Sequence, residues 1–339
     1  MSWFERKLIT VLSMILGLLC VALLLVLSVR YRAAQSEANQ EYIVEVEKAE
    51  TAQSAFTSIS YRCDKIQKSF SLDETGKWYW ISDPAFPLNS ETISTISTLV
   101  ENLTPQQTLP PTEDLSGYEL DDPAAYLSAV KPDGTEFCIT IGKATTDGNS
   151  RYALLSDRDD LCVISDTLYN MLKISVYDMY TLPTFPAITE ETVQTVILQG
   201  QSDPSNPDVI PRSTFLSALH STSETDSTTF WHFMNRDVTN SPAVQALAED
   251  IMALEVAKCV DYHPSAGALS LCGFDAPFAT LTVHYTTSSG ADDNYSITFG
   301  NREPGGSGRY VQIGTEETIF LMENDLLDPM MSIAQNGLS

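Results

Sequence analysis

Three residues of the metal-ligating type lie close together in the second half of the chain. Cys259, His263 and Cys272 form the pattern C-x3-H-x8-C, and His284 is the nearest residue that could supply a fourth ligand. A structural zinc site needs four such ligands, normally in paired short spacings. The spacing therefore favours packing over zinc binding, and no metal ligands are predicted.

Ser128 and Lys131 have the S-x-x-K spacing of the nucleophilic serine and its lysine in penicillin-binding enzymes. That motif acts from the start of a helix, whereas here it runs into a Pro-Asp-Gly turn, and the partner Lys-Thr-Gly motif is absent. His220 and His232 have no Ser, Cys or Asp arrangement that indicates a triad. We predict no catalytic residues, no cofactor-binding residues and no cofactor, and we expect the protein not to be an enzyme.

Acidic turns at 147–149, 157–160 and 292–294 contain the oxygen ligands that calcium binds. None of them has the twelve-residue EF-hand pattern, and charged turns are usually solvated surface. The glycine-rich stretch at 303–308 lies between predicted strands, so it indicates a hairpin turn and not a phosphate-binding loop. Calcium stays the less favoured interpretation of these turns.

A motif with Gly, Arg and Tyr occurs twice, as GNSRYALL and as GSGRYVQI, 158 residues apart. Its arginines, Arg151 and Arg309, could each bind an anion. A duplicated arginine more often pairs with a carboxylate of its own copy, and Asp121 and Asp275 are the obvious partners. We therefore expect two structural ion pairs.

The arginine motif belongs to a longer repetition of strands and helices. Amphipathic helices predicted at 88–103 and 240–254 each carry an apolar stripe that a sheet must cover. Trp78 and Trp231 stand in corresponding strands and are expected to be core aromatics. Each copy is predicted to contain two strands, a helix, four strands and a short helix.

This order predicts an α+β fold with two tandem repeats, each a mostly antiparallel sheet covered by helix. The first repeat is placed at 57–182 and the second at 183–339. Strand-like segments at 56–63 and 193–200 open the two copies.

The N-terminal part of the chain contains an uncharged, strongly apolar run at 8–29. A helix of that length crosses about 30 Å of hydrocarbon, and the apolar core of a cleavable signal peptide is shorter. The sequence predicts a cytoplasmic head at 1–7, a transmembrane helix at 8–29 that contacts the lipid bilayer, and a helical stalk at 30–56. The expected localisation is the cell membrane, with a single pass, a cytoplasmic N-terminus and an extracytoplasmic body.

The chain is strongly acidic, with 45 acidic and 19 basic residues and a net charge of −26. Such a charge repels phosphate backbones, so nucleic acid is excluded as a partner. The cysteines that follow the apolar run are odd in number and scattered, which is not a disulfide framework. Cys138 and Cys162 both fall in predicted strands, and the sequence leaves open whether they pair.

The order of these motifs resembles the bacterial domain of unknown function family 4340, over residues 57 to about 331. Both copies depart from the Gly-Leu-Asp-x-Pro form of the family's turn. The family implies no activity, although some members look like membrane-anchored companions of ABC-type transport or gliding-motility machinery. The residues that carry the resemblance are Trp78, Tyr118, Leu120, Asp121, Pro123, Gly142, Arg151 and Tyr152, then Trp231, Gly273, Phe274, Asp275, Pro277, Gly300, Arg309 and Tyr310.

We expect a membrane-anchored, non-enzymatic interaction or assembly module at the cell envelope, with a protein partner there. One alternative is an accessory or solute-binding companion of an ABC-type transporter. The other alternative is a cell-envelope hydrolase, which would need titratable groups that the sequence does not bring together.

Overall fold

The computed structural model describes residues 54–111, 114–201, 212–222 and 227–338. These residues divide into two units. The first contains the described residues up to Ile81 together with Ser90–Leu172, and the second contains Ser82–Asn89 and the described residues from Lys173 onward. Phe86, in the short segment of the second unit, packs its ring edge-on against Tyr180 and Tyr262.

The first unit is built on one eight-stranded antiparallel sheet. Its strands are β1 (Ser58–Cys63), β2 (Ile66–Leu72), β3 (Trp78–Trp80), β4 (Gln107–Leu109), β5 (Ala125–Val130), β6 (Glu136–Ala144), β7 (Ser150–Leu155) and β8 (Leu161–Ser165). Helix α1 (Ser90–Glu101) follows β3, α2 (Thr167–Lys173) follows β8, and a 3-10 turn at Ser116–Tyr118 precedes β5. The spatial order is β3-β2-β1-β5-β6-β7-β8-β4.

The second unit is built on a nine-stranded antiparallel sheet. Its strands are β9 (Val193–Gly200), β10 (Ser213–Thr222), β11 (Ser227–Phe233), β12 (Arg236–Asp237), β13 (Lys258–Asp261), β14 (Ala279–Thr286), β15 (Asp292–Arg302), β16 (Gly308–Ile313) and β17 (Ile319–Glu323). Its helices are α3 (Pro242–Met252), α4 (Ala266–Leu271) and α5 (Asn324–Asn336), with a 3-10 turn at Val176–Met179. The spatial order is β12-β11-β10-β9-β14-β15-β16-β17-β13.

The two sheets have the same order of equivalent strands, and the second adds only β12 at its edge. The register agrees as well, because Trp78 lies opposite Leu72 and Trp231 lies opposite Ala218 at the corresponding places. Both tryptophans are buried, as expected of core aromatics. Residues of the two units can therefore be compared position by position.

Each sheet has an inner face, where alternate side chains are buried, and an outer face that is more exposed. On β5 Ala125 and Leu127 are buried while Tyr126 between them is exposed, and on β14 Leu281 and Val283 are buried. This is the period of two that a half-buried strand requires. Helix α5 packs on the inner side, where it contacts β9, β10, β16 and β17.

The chain is mostly β, so the predicted α+β class is wrong. The sequence pattern does not reveal β2 and β10, which pair with β1 and β9 inside the sheets. The turn between β1 and β2 is made by Asp64 and Lys65, both at positive φ, so it has none of the Gly or Pro residues that usually mark a hairpin. The edge strands β4 and β13 are only three and four residues long and give no periodic signal.

The predicted membrane anchoring also has to be corrected. The head at 1–7, the apolar run at 8–29 and the stalk up to residue 53 lie outside the described residues, and residues 54–56 are not helical. In the part of the chain that the structure describes, no helix is long and apolar enough to cross a bilayer. The structure thus gives no support to a single-pass protein of the cell membrane.

Candidate functional site

Arg151 is neutralised inside the first unit by a carboxylate. It lies on the inner face of β7, where its Nε donates to Oδ1 of Asp166 at 2.5 Å and its Nη1 donates to the carbonyl oxygen of Gly142 at 3.0 Å. The guanidinium carbon lies 3.4 Å from the centre of the Tyr169 ring. A charge-assisted hydrogen bond and a ring contact together account for this mostly buried cation.

The Gly142 carbonyl oxygen, which accepts from Nη1 of Arg151, lies at an irregularity in the strand pairing. The β6–β7 ladder shifts register between Ile141 and Ala144, and the β15–β16 ladder shifts at the corresponding place, between Phe299 and Arg302. A Cβ on Gly142 would lie 2.2 Å from the carbonyl oxygen of Tyr118. Only glycine allows this close backbone approach, so the acceptor is fixed by the fold.

Arg309 occupies the equivalent position in the second unit. Arg151 lies opposite Ile164 in the β7–β8 ladder, and Arg309 lies opposite Met322 in the β16–β17 ladder. Its Nη1 again donates to the glycine carbonyl, here Gly300, at 2.5 Å. The side chain is only 5% exposed.

The carboxylate that neutralises Arg151 has no counterpart beside Arg309. The residue equivalent to Asp166 is Asn324, whose Nδ2 donates to the carbonyl oxygen of Gly306 at 2.7 Å. Oδ1 of Asn324 is buried and accepts no hydrogen bond. Within the described residues, no carboxylate oxygen lies within 4.0 Å of the Arg309 guanidinium.

One acidic residue of α5, Asp328, lies one turn beyond Asn324. Asp328 stands where the first unit has Asn170, and its Oδ1 accepts from Nη2 of Arg302 at 2.5 Å. Arg302 itself stands where the first unit has Ala144. Both side chains of this pair are about half exposed, so it is a surface ion pair of small energetic value. Asp328 is thereby paired with Arg302 and makes no ion pair with Arg309.

The pKa of the Arg309 guanidinium is lowered to about 10, mainly by burial and also by the nearby positive charge of Arg302, while Asp328 opposes the change. The cause is desolvation, because a charged group loses water that no carboxylate replaces. The guanidinium carbon lies 4.3 Å from the centre of the Phe278 ring, which is a weaker compensation than an ion pair. Arg309 is therefore a buried cation without a contacting counter-charge.

A cavity of about 370 Å³ lies beside this cation. α5 has 13 residues where α2 has seven, and this extra length supplies one wall of the cavity. The arrangement can bind a small anion, because N–H donors and a positive charge border a space that anions can enter from solvent. The lining residues are Phe278, Arg302 and Arg309 with Asp328, Met331, Ser332 and Gln335 of α5.

The predicted partners of the two arginines are wrong. Arg151 pairs with Asp166 and not with Asp121, and Asp275 makes no ion pair with Arg309. The carboxylate of Asp121 accepts instead from the backbone N–H of Asp122 at 3.1 Å.

The residues considered for zinc do not form a site. Cys259 is buried on β13, and burial together with the nearby Asp261 carboxylate raises the pKa of its thiol to about 12, so it is not the thiolate that zinc needs. The ring of His263 stacks on Tyr262 with centroids 4.0 Å apart. Among the described residues, no three His, Cys, Asp or Glu side chains are grouped so that they could hold a metal.

The serine considered as a nucleophile is engaged elsewhere. The hydroxyl of Ser128 donates to Oε1 of Glu136 at 2.5 Å, while Lys131 lies in the β5–β6 turn. His220 hydrogen-bonds the Thr229 hydroxyl and the Val193 carbonyl oxygen, which ties it to the strands. Neither group has the surroundings of an activated nucleophile or base.

The question of a Cys138–Cys162 disulfide has a direct answer, since both are free thiols. The hydroxyl of Tyr126 donates to Sγ of Cys138 at 3.0 Å on the outer face, whereas Cys162 is fully buried. Residues 292–294 lie in β15 and not in a turn, and Asp292 accepts from Nε2 of Gln194 at 2.5 Å. The turn at 147–149 is held locally: Asp147 accepts from the Thr145 hydroxyl at 2.5 Å and from the backbone N–H of Asn149 at 3.4 Å. These are turn-stabilising bonds.

A second difference between the units is an apolar patch on the outer face of the second sheet. Its side chains are Phe215 (50% exposed), Leu219 (55%) and Phe230 (38%), beside the half-buried Ile197. The register places Leu219 opposite Phe230 and Phe215 opposite Ile197. The first unit has polar residues at the same four positions, which are Ser69, Asp73, Lys77 and Ser60 in that order.

Three of the site residues could have been found by comparing the two copies in the sequence. At an offset of 158, Asp166 becomes Asn324 and Ala144 becomes Arg302. At an offset of 154, Ala124 becomes Phe278. The sequence analysis compared the residues that the two copies share, such as the arginines. The site beside Arg309 depends on residues that differ between the copies.

A search with protein-family models finds no match to the chain, and a search of curated proteins finds none with significant similarity. The resemblance to family 4340 therefore stays a prediction, and the functional argument depends on the geometry alone.

Proposed function

We propose that the protein is a non-enzymatic binding module whose second unit holds a small anion in the cavity beside Arg309. One observation carries this proposal: the same arginine is paired with a carboxylate in the first unit and lacks one in the second. The cavity borders this arginine, so an anion from outside the chain could supply a negative charge there.

The physical reason is the cost of a buried charge. Removing a guanidinium from water without a counter-ion destabilises the folded state by several kcal/mol, which a paired anion offsets. A bound anion would gain charge-assisted hydrogen bonds from a donor that the Gly300 carbonyl already holds in place. The overall charge of −26 slows the approach of anions but does not remove this local attraction.

Binding without catalysis also fits the other groups that were considered for chemistry. Ser128 donates to Glu136, and Cys259 is a buried, protonated thiol. Of the alternatives, solute binding is the one that the cavity favours over hydrolysis.

The test is calorimetric titration of the full chain with acetate, inorganic phosphate and sulfate at low ionic strength. We expect at least one anion to bind with one site per chain, and Arg309→Gln to weaken that binding by about tenfold or more, since a buried charge-assisted contact is lost. Arg151→Gln is the matched control and should leave the dissociation constant unchanged. Absence of binding to the native chain, or equal affinity in Arg309→Gln, would contradict the proposal.

Docking of a protein partner is a second candidate function, and the apolar patch favours it. Exposed apolar pairs on one sheet face, with polar residues at the same places in the sister unit, are typical of an interaction surface. Because the chain carries a charge of −26, the best-matched partner has an apolar surface bordered by Lys and Arg. Nucleic acid stays excluded by the same charge, as a prediction.

A further inference from the structure

Building on the proposed anion-binding function, we infer that the ligand is an organic monocarboxylate with an apolar body. Its carboxylate would lie on the Nε edge of Arg309, and its body would contact Phe278 and Met331.

The first unit shows which anion this arginine position accepts. There Nη1 of Arg151 bonds the Gly142 carbonyl oxygen while Nε bonds a carboxylate oxygen of Asp166. In the second unit Nη1 of Arg309 likewise donates to the Gly300 carbonyl oxygen. No described residue accepts from Nε or Nη2 of Arg309. A planar carboxylate matches two parallel N–H donors of a guanidinium. The aspartate of the first unit is thus an internal example of the ligand's charged group.

The charge of the lining sets the charge of the ligand. Arg302 and Asp328 neutralise each other, which leaves the single positive charge of Arg309. One carboxylate balances that charge, whereas a phosphate with close to two negative charges at neutral pH would bring one in excess beside Asp328. A monoanion is therefore favoured.

The remaining walls indicate what the carboxylate is attached to. Phe278 and Met331 present apolar surface, and the first unit has the much smaller Ala124 where Phe278 stands. Ser332 and Gln335 add hydrogen-bonding groups from α5. A volume of about 370 Å³ is at the small end of the range for ligand pockets, about 300–1,000 Å³. A short aliphatic or monocyclic acid fits these dimensions.

The test is a titration of the full chain with acetate, butanoate and hexanoate, and with inorganic phosphate and sulfate. We expect affinity to rise by up to about fourfold for each methylene that becomes buried, and hexanoate to bind more tightly than either inorganic anion. Phe278→Ala, which installs the residue of the first unit, should flatten this dependence on chain length, so that hexanoate loses more affinity than acetate does. Phe278→Leu keeps an apolar wall and serves if the alanine variant does not fold by circular dichroism.

The outcomes separate the inference from the proposed function. If phosphate or sulfate binds more tightly than hexanoate and Arg309→Gln abolishes that binding, anion binding stands and the monocarboxylate assignment is wrong. If the native protein binds acetate, butanoate and hexanoate equally well, the inference that the ligand has an apolar body is wrong. If no anion binds, or binding survives in Arg309→Gln, both proposals fail.

Discussion

Arg151 and Arg309 occupy equivalent register positions and donate to equivalent glycine carbonyls, Gly142 and Gly300, yet their charges are balanced differently. The sequence identified both arginines and their duplication. It did not identify the partner, because Asp166 reaches Arg151 from the junction between β8, the strand that pairs with β7, and α2, and not from the duplicated Asp-x-Pro turn. A carboxylate's distance in space depends on strand pairing, which spacing along the chain does not show.

The two arginines should have opposite effects on stability when their charge is removed. Arg309→Met removes a buried charge that lacks a carboxylate, so we expect the free energy of unfolding without ligand to rise by about 1–2 kcal/mol. Arg151→Met leaves Asp166 mostly buried without its ion-pair partner, so we expect a loss of about 1–3 kcal/mol.

Thermal and urea unfolding followed by circular dichroism would measure both changes. Two variants that are destabilised equally would show that Arg309 is compensated in a way similar to Arg151. That result would contradict the proposal that the cavity beside Arg309 binds an anion.

At the level of elements, the sequence predicts strands and helices well where burial is periodic. β9 at Val193–Gly200 coincides with the predicted segment 193–200, and α1 and α3 lie inside the predicted helices. The missed strands have other causes: β2 follows a turn without Gly or Pro, and β4 and β13 are short edge strands. These omissions turned a mostly β chain into an expected α+β fold.

The apolar patch on β10 and β11 can be replaced by the residues of the first unit. We expect the triple variant Phe215→Ser, Leu219→Asp and Phe230→Lys to keep its melting temperature within about 2 °C, since surface substitutions of this kind change stability little. It should also bind less of an apolar fluorescent dye than the native chain.

Differential scanning calorimetry and dye titration would test this expectation. Leu216→Ser is the matched control from the buried side of β10, and it should lower the melting temperature clearly. A similar loss in the triple variant would show that the patch packs against the protein itself and is not free for a partner.

For the whole molecule, the main feature is one architecture used twice with different internal charge balance. The strand order is the same in both sheets, so the exchange of Asp166 for Asn324 and of Asn170 for Asp328 changes the charge beside an otherwise similar arginine. The sequence contains these exchanges. The cavity could not be predicted from them, because it also depends on how the longer α5 lies on the sheet.

The most direct test of the anion site beside Arg309 is to place a carboxylate in the second unit at the position equivalent to Asp166. In Asn324→Asp the new side chain stands where Asp166 neutralises Arg151, so it should pair with Arg309 and exclude a ligand carboxylate. Calorimetric titration with hexanoate should then show an affinity about tenfold or more below that of the native chain, in a protein that is at least as thermally stable. Unchanged hexanoate affinity in this folded variant would contradict the account.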